Sequence, residues 1–373
     1  MNWKIPLFKV CKDNEDVEEV RKIVERDMYW TLGPEIQQFE KMISDYLGIP
    51  YVLTFNSGTS ALHASLVAHE IKHGDDVIVP SFTFIATANA VKFVGANPVF
   101  ADIEEDTYAL DPDSISEKIT KNTKAIMPIH YGGSTASKIK EIKKIAEEKN
   151  IILIEDAAEA LGSKLDSKFA GSFGDSAVLS FCGNKIITTG EGGAVITKNR
   201  SIYEKLKLIR SHGRLETKNY FDTNVPMDYI TLGYNFRIPT IVAALGISQM
   251  RKLEKIIEKR REIAKFYNKK LQKEISVPVE ISGGRNVYQM YTIRLQSEEQ
   301  RDKLQQNLDK NGIMSKVYFP PVHLSHFYKN VLKYKDKLKL TEDISKRVLT
   351  LPIYPTMTDE EKEFVVEKVN ESI

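Results

Sequence analysis

The 373-residue sequence is poor in cysteine and contains no long apolar run. Its two cysteines, Cys11 and Cys182, are far apart in the chain, which argues against a disulfide framework or a metal site. No apolar run approaches the roughly 18 residues that span a bilayer, and the N-terminus lacks the apolar core of a secretion signal. We therefore expect a cytoplasmic protein with no membrane partner and no bound metal.

An excess of charge of one sign is also absent. The formal net charge is +2, and basic residues are interleaved with acidic ones, so the sequence offers no extended basic surface for a nucleic acid. Hydrophobic residues make up 42% and charged residues 28% of the chain, which is ordinary for a globular protein. A chain of this length usually divides into two domains.

Short apolar runs alternate with amphipathic stretches over the first two thirds of the chain, which indicates a mainly parallel sheet covered by helices. The predicted strands are 51–55, 76–80, 98–101, 124–129, 151–155, 176–181 and 193–197. One or two long helices follow at about 239–271, and then come helices (298–311, 343–349 and 359–373) and strands (287–295 and 314–318). Residues 215–228 are polar and are expected to be the most mobile stretch.

This pattern predicts an α/β protein of two domains. We expect residues 1–245 to form an N-terminal segment and a large domain. Residues 246–373 are then a connecting helix and a smaller C-terminal α+β domain.

A phosphate site is indicated where the first predicted strand passes into a helix, at Asn56-Ser-Gly-Thr-Ser60. Backbone N–H groups at a helix N-terminus bind anions, and Gly58 would let the backbone approach the anion closely. The alternative is that a Ser or Thr here is an ordinary helix cap. The lysine of a Walker loop is missing, so this is not that motif.

An acidic segment, Glu155-Asp-Ala-Ala-Glu-Ala160, ends the most apolar of the predicted strands. Ligands bind at the carboxyl ends of parallel strands, and a buried carboxylate is costly unless it meets a cation or hydrogen-bond donors. A protonated pyridine nitrogen is such a cation, so Asp156 is a candidate partner for pyridoxal phosphate (PLP). The alternative is that Asp156 caps the following helix.

A single lysine lies in Ser180-Phe-Cys-Gly-Asn-Lys-Ile-Ile-Thr-Thr-Gly-Glu-Gly-Gly193, between two predicted strands. A desolvated lysine on a rigid turn is a good Schiff-base nucleophile, because burial favours the neutral amine. The alternative is that Lys185 is a surface lysine in a glycine-rich loop.

Three further segments offer groups for the same site. Phe82 or Phe84 could stack on a flat cofactor or could belong to the core. The segment Gly233-Tyr-Asn-Phe-Arg237 supplies an amide and a guanidinium, or is simply a helix-capping turn. His323 lies beside prolines, where a structural role is the default.

Taken together, these motifs resemble the PLP-dependent sugar aminotransferases of the DegT/DnrJ/EryC1/StrS family. The similarity extends from about Pro6 through the long helix. Residues 180–193 and 233–237 are similar to the GDP-perosamine synthase branch of the family. The blocks that carry the resemblance are Asn56-Ser-Gly-Thr-Ser-Ala-Leu-His, Asp76-Val-Ile-Val-Pro-Ser-Phe-Thr-Phe, Glu155-Asp-Ala-Ala-Glu-Ala and Lys185 through Gly193.

The resemblance implies a fold-type I aminotransferase with a mainly parallel seven-stranded sheet and two active sites at a homodimer interface. Lys185 would hold PLP as a Schiff base and move protons, Asp156 would hold the pyridinium, and Asn235 would reach the phosphate of the neighbouring subunit. Glu159 stands where many members have Gln or His, and the perosamine branch resembles this sequence in having Glu. The implied cofactor-binding residues are Ser57, Gly58, Thr59, Ser60, Phe84, Asp156, Glu159, Ser180, Lys185 and Asn235, and the implied substrate-binding residues are His323, Glu159 and Arg237.

The implied reaction transfers an amino group from glutamate, through pyridoxamine phosphate, to C4 of a nucleotide-linked 4-keto-6-deoxy sugar for surface polysaccharide. A dehydratase of the family would resemble the members that have His in place of this lysine. Lys185 therefore argues against a dehydratase. Alternatives that the sequence leaves open are an aminotransferase for C3 or for a dTDP-linked sugar, one for a cyclitol precursor, and a non-catalytic protein that binds PLP or a nucleotide sugar. The nucleotide, the ring carbon and the sugar stereochemistry are not specified by these motifs.

Overall fold

Twelve strands form within residues 3–215 and 220–373, the residues that the computed structural model describes. The strands are β1 (Tyr51–Phe55), β2 (Asp76–Pro80), β3 (Asn97–Ala101), β4 (Thr123–Ile126), β5 (Ile152–Asp156), β6 (Lys164–Leu165), β7 (Lys168–Phe169), β8 (Ser176–Ser180), β9 (Gly193–Thr197), β10 (Gly284–Arg285), β11 (Tyr291–Arg294) and β12 (Val348–Leu351). Seven of them form one sheet, in the order β1-β9-β8-β5-β4-β2-β3.

Only β9 runs antiparallel to its neighbours in this sheet, so the prediction of a mainly parallel seven-stranded sheet is confirmed. The central strands are apolar and buried, as expected for parallel strands that are covered on both faces. In β5, Leu153 and Ile154 are buried in different apolar clusters, one on each side of the sheet. Two smaller sheets, β10-β6-β7 and β11-β12, complete the strands.

Helices cover the sheet and build the C-terminal third. They are α1 (Asn14–Val24), α2 (Pro34–Leu47), α3 (Gly58–Ala68), α4 (Ala86–Phe93), α5 (Pro112–Lys118), α6 (Ile139–Lys149), α7 (Arg200–Arg210), α8 (Thr240–Arg251), α9 (Leu253–Lys270), α10 (Glu298–Lys310), α11 (Lys339–Arg347) and α12 (Asp359–Asn370). None of the helices in the described parts of the chain is long and apolar enough to cross a membrane.

Helix α9 packs against two apolar cores, one at the main sheet and one in the C-terminal third of the chain. Ile257 packs with residues of α2 and of the main sheet, whereas Ile263 packs with β11, β12 and α12. Ile5, close to the N-terminus, also belongs to the C-terminal core and pairs with Ile313. A division at 245/246 stays a prediction.

Of the one or two long helices predicted at about 239–271, the structure has two, which meet at Lys252. Two other predictions for the C-terminal third were inaccurate at the level of single elements. The predicted helix 343–349 ends at Arg347, and the chain continues as β12, because the four apolar or Thr residues of β12 are all buried and pair with β11. The predicted strand 314–318 is reduced to one bridge between Lys316 and Thr350. Of the predicted mobile stretch 215–228, residues 216–219 lie outside the described residues.

Candidate active site

A pocket of about 560 Å³ opens at the carboxyl ends of β5 and β8. The edge at which parallel strands end is where open α/β sheets bind ligands. The C-terminal third closes one side of the pocket with Met290, Lys316, Tyr318 and Phe319. Eight of the predicted site residues line it: Ser57, Gly58, Thr59, Phe84, Asp156, Glu159, Ser180 and Lys185.

The N-terminus of α3 forms one end of the pocket. Ser57 is the helix cap, since its Oγ accepts a hydrogen bond from the Ser60 N–H at 3.0 Å. The amides of Gly58 and Thr59, in the first turn of the helix, have no carbonyl one turn back to bind. Capping and phosphate binding, which the sequence left as alternatives, are therefore compatible here, with Ser57 serving the first and these two amides available for the second.

Two glycines allow the strands to approach this helix end. A Cβ placed on Gly193 would lie 2.6 Å from the Ser57 carbonyl oxygen, and one on Gly58 would lie 3.2 Å from Ser180 Oγ. The first distance is a clash, so β9 can pass the start of α3 only with glycine at that position. The Ser180 hydroxyl is thereby held next to the helix N-terminus.

Asp156 lies at the end of β5 and is 3% exposed. Its Oδ2 accepts a hydrogen bond from Thr87 Oγ1 at 2.8 Å, and its Oδ1 accepts one from the Ala158 N–H at 3.2 Å. Burial raises the pKa of Asp156 above its ordinary value, although both hydrogen bonds and the nearby Lys185 oppose this. A cation bound against this carboxyl would favour its ionised form.

Thr87 links Asp156 to a second hydroxyl. Because Thr87 donates to the carboxylate, its oxygen accepts from Thr83 Oγ1, at 2.8 Å. Both threonines are buried. The sequence analysis did not identify Thr87, since nothing in its local pattern reveals a contact with a residue 69 positions away.

Lys185 follows β8 on a tight turn and is 15% exposed. Its Nζ lies 3.4 Å from Glu159 Oε1, and Glu159 Oε2 accepts a hydrogen bond from the Gly132 N–H at 2.9 Å. Lys185 is therefore not the surface lysine that was the alternative. The Gly132 amide, which the sequence analysis also missed, fixes the carboxylate that lies closest to the amine.

The turn that carries Lys185 is tied to the C-terminal third of the chain. The Lys185 N–H donates to the Cys182 carbonyl at 2.9 Å, which closes the turn. Gln289 Nε2 donates to the Asn184 carbonyl at 2.6 Å. The position of Lys185 therefore depends on a residue about 100 positions later in the chain.

Phe84 forms part of the pocket wall with one face uncovered. It is 58% exposed, and its ring centroid lies 6.3 Å from that of Phe319. Phe82, the other aromatic candidate, is fully buried among core residues. Of the two, Phe84 is the one available to a ligand, and its stacking role stays a prediction.

Four predicted site residues are not among the described residues that line the pocket. Ser60 lies one position beyond Thr59 in α3, and Asn235 is exposed, with its carbonyl 3.5 Å from Asn56 Nδ2. Arg237 donates to Ser211 Oγ at 3.2 Å. His323 is 1% exposed, with Nδ1 2.6 Å from Ser81 Oγ, and burial lowers the pKa of its imidazole. Their binding roles stay predictions.

The groups in the pocket fit PLP. Helix amides and the Ser180 hydroxyl suit a phosphate, and the buried carboxyl of Asp156, whose pKa is raised by burial, suits a protonated ring nitrogen. Lys185 supplies a primary amine, and Phe84 supplies an uncovered aromatic face.

Comparison with known proteins gives the same result. The profile of the DegT/DnrJ/EryC1/StrS aminotransferase family matches residues 10–370. GDP-perosamine synthase of Escherichia coli O157:H7 is 34% identical over 367 residues, which cover 98% of each chain.

Two solved structures share the fold. PseC of Helicobacter pylori, an aminotransferase involved in the biosynthesis of pseudoaminic acid, is 28% identical with a TM-score of 0.92, over 99% of this chain and 98% of that chain. NtdA of Bacillus subtilis with bound cofactor pyridoxamine phosphate is 30% identical with a TM-score of 0.86, over 96% of this chain and 82% of that one.

These matches confirm the predicted fold-type I class and the predicted cofactor, PLP, which cycles with pyridoxamine phosphate. They also confirm the enzyme class. The protein is a PLP-dependent sugar aminotransferase, and it belongs to the DegT/DnrJ/EryC1/StrS aminotransferase family.

Proposed function

We propose that the protein transfers the amino group of glutamate to C4 of a GDP-linked 4-keto-6-deoxy sugar, as a GDP-perosamine synthase does. The observation that carries this proposal is the 34% identity to the Escherichia coli enzyme over 98% of both chains. The site supports the proposal. The perosamine branch resembles this sequence in having Glu at the position of Glu159, and here Glu159 is held beside Lys185.

The residues of the pocket divide the work between binding and proton transfer. PLP bound here would supply a carrier for the amino group and an electron sink for the carbon that loses a proton. Asp156 would hold the proton on the ring nitrogen, and the α3 amides would bind the phosphate. Lys185 Nζ takes a proton from the α carbon of the donor and delivers one to C4 of the sugar. Glu159 Oε1, 3.4 Å from Nζ, orients the amine between these positions.

Incubation of the holoenzyme with glutamate and candidate sugars tests the proposal. GDP-4-keto-6-deoxymannose should give a 4-amino sugar, identified by mass and NMR, while dTDP- and UDP-linked 4-keto-6-deoxy sugars should react at least about tenfold more slowly. Lys185→Ala should give no product with any sugar, which controls for uncatalysed amination. Preferred turnover of a dTDP- or UDP-linked sugar, or amination at C3, would contradict the proposal.

We also propose that the active unit is a homodimer in which Asn235 reaches the phosphate site of the other subunit. Asn235 is exposed and does not line the pocket of its own chain. Apolar residues beside it in sequence are uncovered, with Leu232 80% exposed and Ile230 and Tyr229 more than half exposed. Trp30 is also exposed, and its carbonyl accepts the Thr240 N–H, so it lies against the same region. A second copy would cover this surface.

A further inference from the structure

One cation in the pocket has no assigned partner. Lys316 lines the pocket and is exposed, unlike Lys185 at the buried end. Among the described residues no carboxylate lies within ion-pair distance of the Lys316 ammonium and no hydrogen bond is made to it. Its Nζ lies 4.8 Å from the centre of the Tyr318 ring. The contact with the ring leaves the positive charge of the ammonium group in place.

The backbone holds this lysine in a fixed place. The Lys316 N–H donates to the Thr350 carbonyl at 3.2 Å, and the Thr350 N–H donates to the Lys316 carbonyl at 2.8 Å, so the segment is pinned to β12. Two residues on, the Tyr318 carbonyl accepts a hydrogen bond from the Tyr131 hydroxyl at 2.5 Å. Alternate residues of an extended segment share a face, which is why Lys316 and Tyr318 both face the pocket.

Among the described residues that line the pocket, Lys316 is the cation that remains available to bind an anion. The described lining residues include three carboxylates, Asp156, Glu159 and Glu191, and two ammonium groups, Lys185 and Lys316. Lys185 is paired with Glu159. An anionic substrate that enters this acidic pocket therefore needs a compensating cation near the mouth, and Lys316 is the described lining residue that offers one.

We propose that Lys316, backed by the Tyr318 ring, is the binding site for the diphosphate of the nucleotide sugar. The assignment rests on the proposed function in that the acceptor carries a diphosphate. The reacting sugar carbon must lie at Lys185, in the buried part of the pocket, and the diphosphate is attached at the other side of the ring, toward the mouth. A diphosphate also carries more charge than either carboxylate of glutamate, so it gains more from a single ammonium group.

Calorimetric titration of the holoenzyme with GDP, dTDP and UDP tests this site without turnover. For whichever diphosphates bind the wild type, Lys316→Gln should raise Kd by about tenfold or more, which is the range for loss of a charge-assisted hydrogen bond. Lys316→Arg should restore most of the affinity. The parent nucleoside, which lacks the diphosphate, should bind the wild type and Lys316→Gln equally.

A lysine elsewhere in the C-terminal third serves as the matched control. Lys303 is exposed on α10 and does not line the pocket, so Lys303→Gln removes the same charge and should leave Kd unchanged. Binding by the wild type should weaken with added salt more steeply than binding by Lys316→Gln. Conversion of the holoenzyme by glutamate alone, followed by its visible absorbance, should be the same in the wild type, Lys316→Gln and Lys303→Gln.

The outcomes separate this site from the proposed substrate. If dTDP binds in place of GDP and its affinity depends on Lys316, the diphosphate site stands and the GDP-linked substrate is wrong. The site is overturned if Lys316→Gln binds the diphosphates as tightly as the wild type, if none of the three binds the wild type, or if Lys303→Gln loses as much affinity. It is also overturned if Lys316→Gln instead impairs the reaction with glutamate, which would assign the lysine to a donor carboxylate.

Discussion

In its proposed role, Asp156 would be ionised in a place where its own burial opposes the charge. The carboxyl is almost fully buried, and only two hydrogen bonds and the nearby Lys185 offset the cost of desolvation. A protonated ring nitrogen would add a cation in contact with the carboxylate. In the protein alone, the cost of burying the Asp156 carboxylate is therefore only partly offset. A bound cofactor cation would offset the rest, which explains why an Asp can be kept at the end of a buried strand.

We predict that Asp156→Asn lowers turnover by at least about 100-fold, since a neutral amide cannot keep the ring nitrogen protonated. The overall shape of the residue is conserved, so the fold should be retained and far-UV circular dichroism should be unchanged. The measurement is turnover at saturating PLP, which separates this effect from weaker cofactor binding. Turnover within a few-fold of the wild type would remove Asp156 from its assigned role.

The same carboxyl gives a pH prediction for the cofactor-free protein. The folded state holds a proton on Asp156 to a higher pH than the unfolded chain does, so ionisation of this group costs folding free energy as the pH rises. Asn has no such cost. The free energy of unfolding of the wild type minus that of Asp156→Asn should therefore fall between about pH 4 and the raised pKa, and then level off. Urea unfolding across this range measures it, and a difference that rises with pH would contradict it.

Thr87 is expected to position the carboxylate rather than to act on the substrate. Thr87→Val keeps the shape but removes the donor to Asp156, at a cost of about 1.5–3 kcal/mol for a hydrogen bond to a charged group. We predict a roughly tenfold loss of turnover and a further rise in the pKa of Asp156. Thr87→Ser should recover the rate, because it restores the hydroxyl. Equal rates for the Val and Ser variants would show that the hydrogen bond is not the reason for the threonine.

The residues that sequence could identify are those whose local pattern carries the chemistry. The local patterns of Lys185 and Asp156 each left a structural alternative open, but their combination with the other motifs pointed to one site, and both residues line the pocket. Thr87, the Gly132 amide and Gln289 were missed for the opposite reason. Their contacts with Asp156, Glu159 and Asn184 join segments 27 or more positions apart. No local periodicity contains that information.

At the scale of elements, the proposed phosphate site depends on how closely β9 approaches the start of α3. We predict that Gly193→Ala weakens PLP binding by at least about tenfold, because the added methyl would meet the Ser57 carbonyl and the Gly58 nitrogen at 2.6–2.7 Å and would displace the helix end. Equilibrium dialysis of PLP, with unfolding temperatures of the free and loaded protein, measures this. A variant that retains wild-type PLP affinity at normal stability would mean that the helix end does not hold the phosphate.

Elements with a clear hydrophobic period were predicted better than those fixed by their partners. The central strands are rich in apolar residues, and their alternation with amphipathic stretches predicted a mainly parallel sheet. β12 was read as the end of a helix, because Val348-Leu-Thr-Leu351 continues an apolar pattern without a glycine or proline to mark the change. Its strand conformation comes from pairing with β11, and that is a tertiary constraint.

At the scale of the whole molecule, the proposed dimer makes each phosphate site depend on a residue of the second chain. Asn235 lies on an exposed segment and not in the pocket of its own subunit. If its amide reaches the phosphate of a second copy, Asn235→Ala should lower PLP affinity without any change in the residues that line the pocket.

Size-exclusion chromatography with light scattering should show a dimer for the wild type. Leu232→Lys, which places a charge on the uncovered apolar surface, should shift it toward monomers.

A mixture of two inactive variants distinguishes a shared site from a self-contained one. Lys185→Ala lacks the amine, and Asn235→Ala lacks the amide, so each alone should be inactive at limiting PLP. In a mixed dimer with shared sites, one site contains both defects and the other contains neither. Random exchange of subunits at equal amounts makes half of the dimers mixed, each with one intact site of two, so about a quarter of wild-type activity should return. If Asn235 serves its own subunit, every site in the mixture still carries one defect. Activity that stays at the sum of the separate variants would therefore refute the shared site.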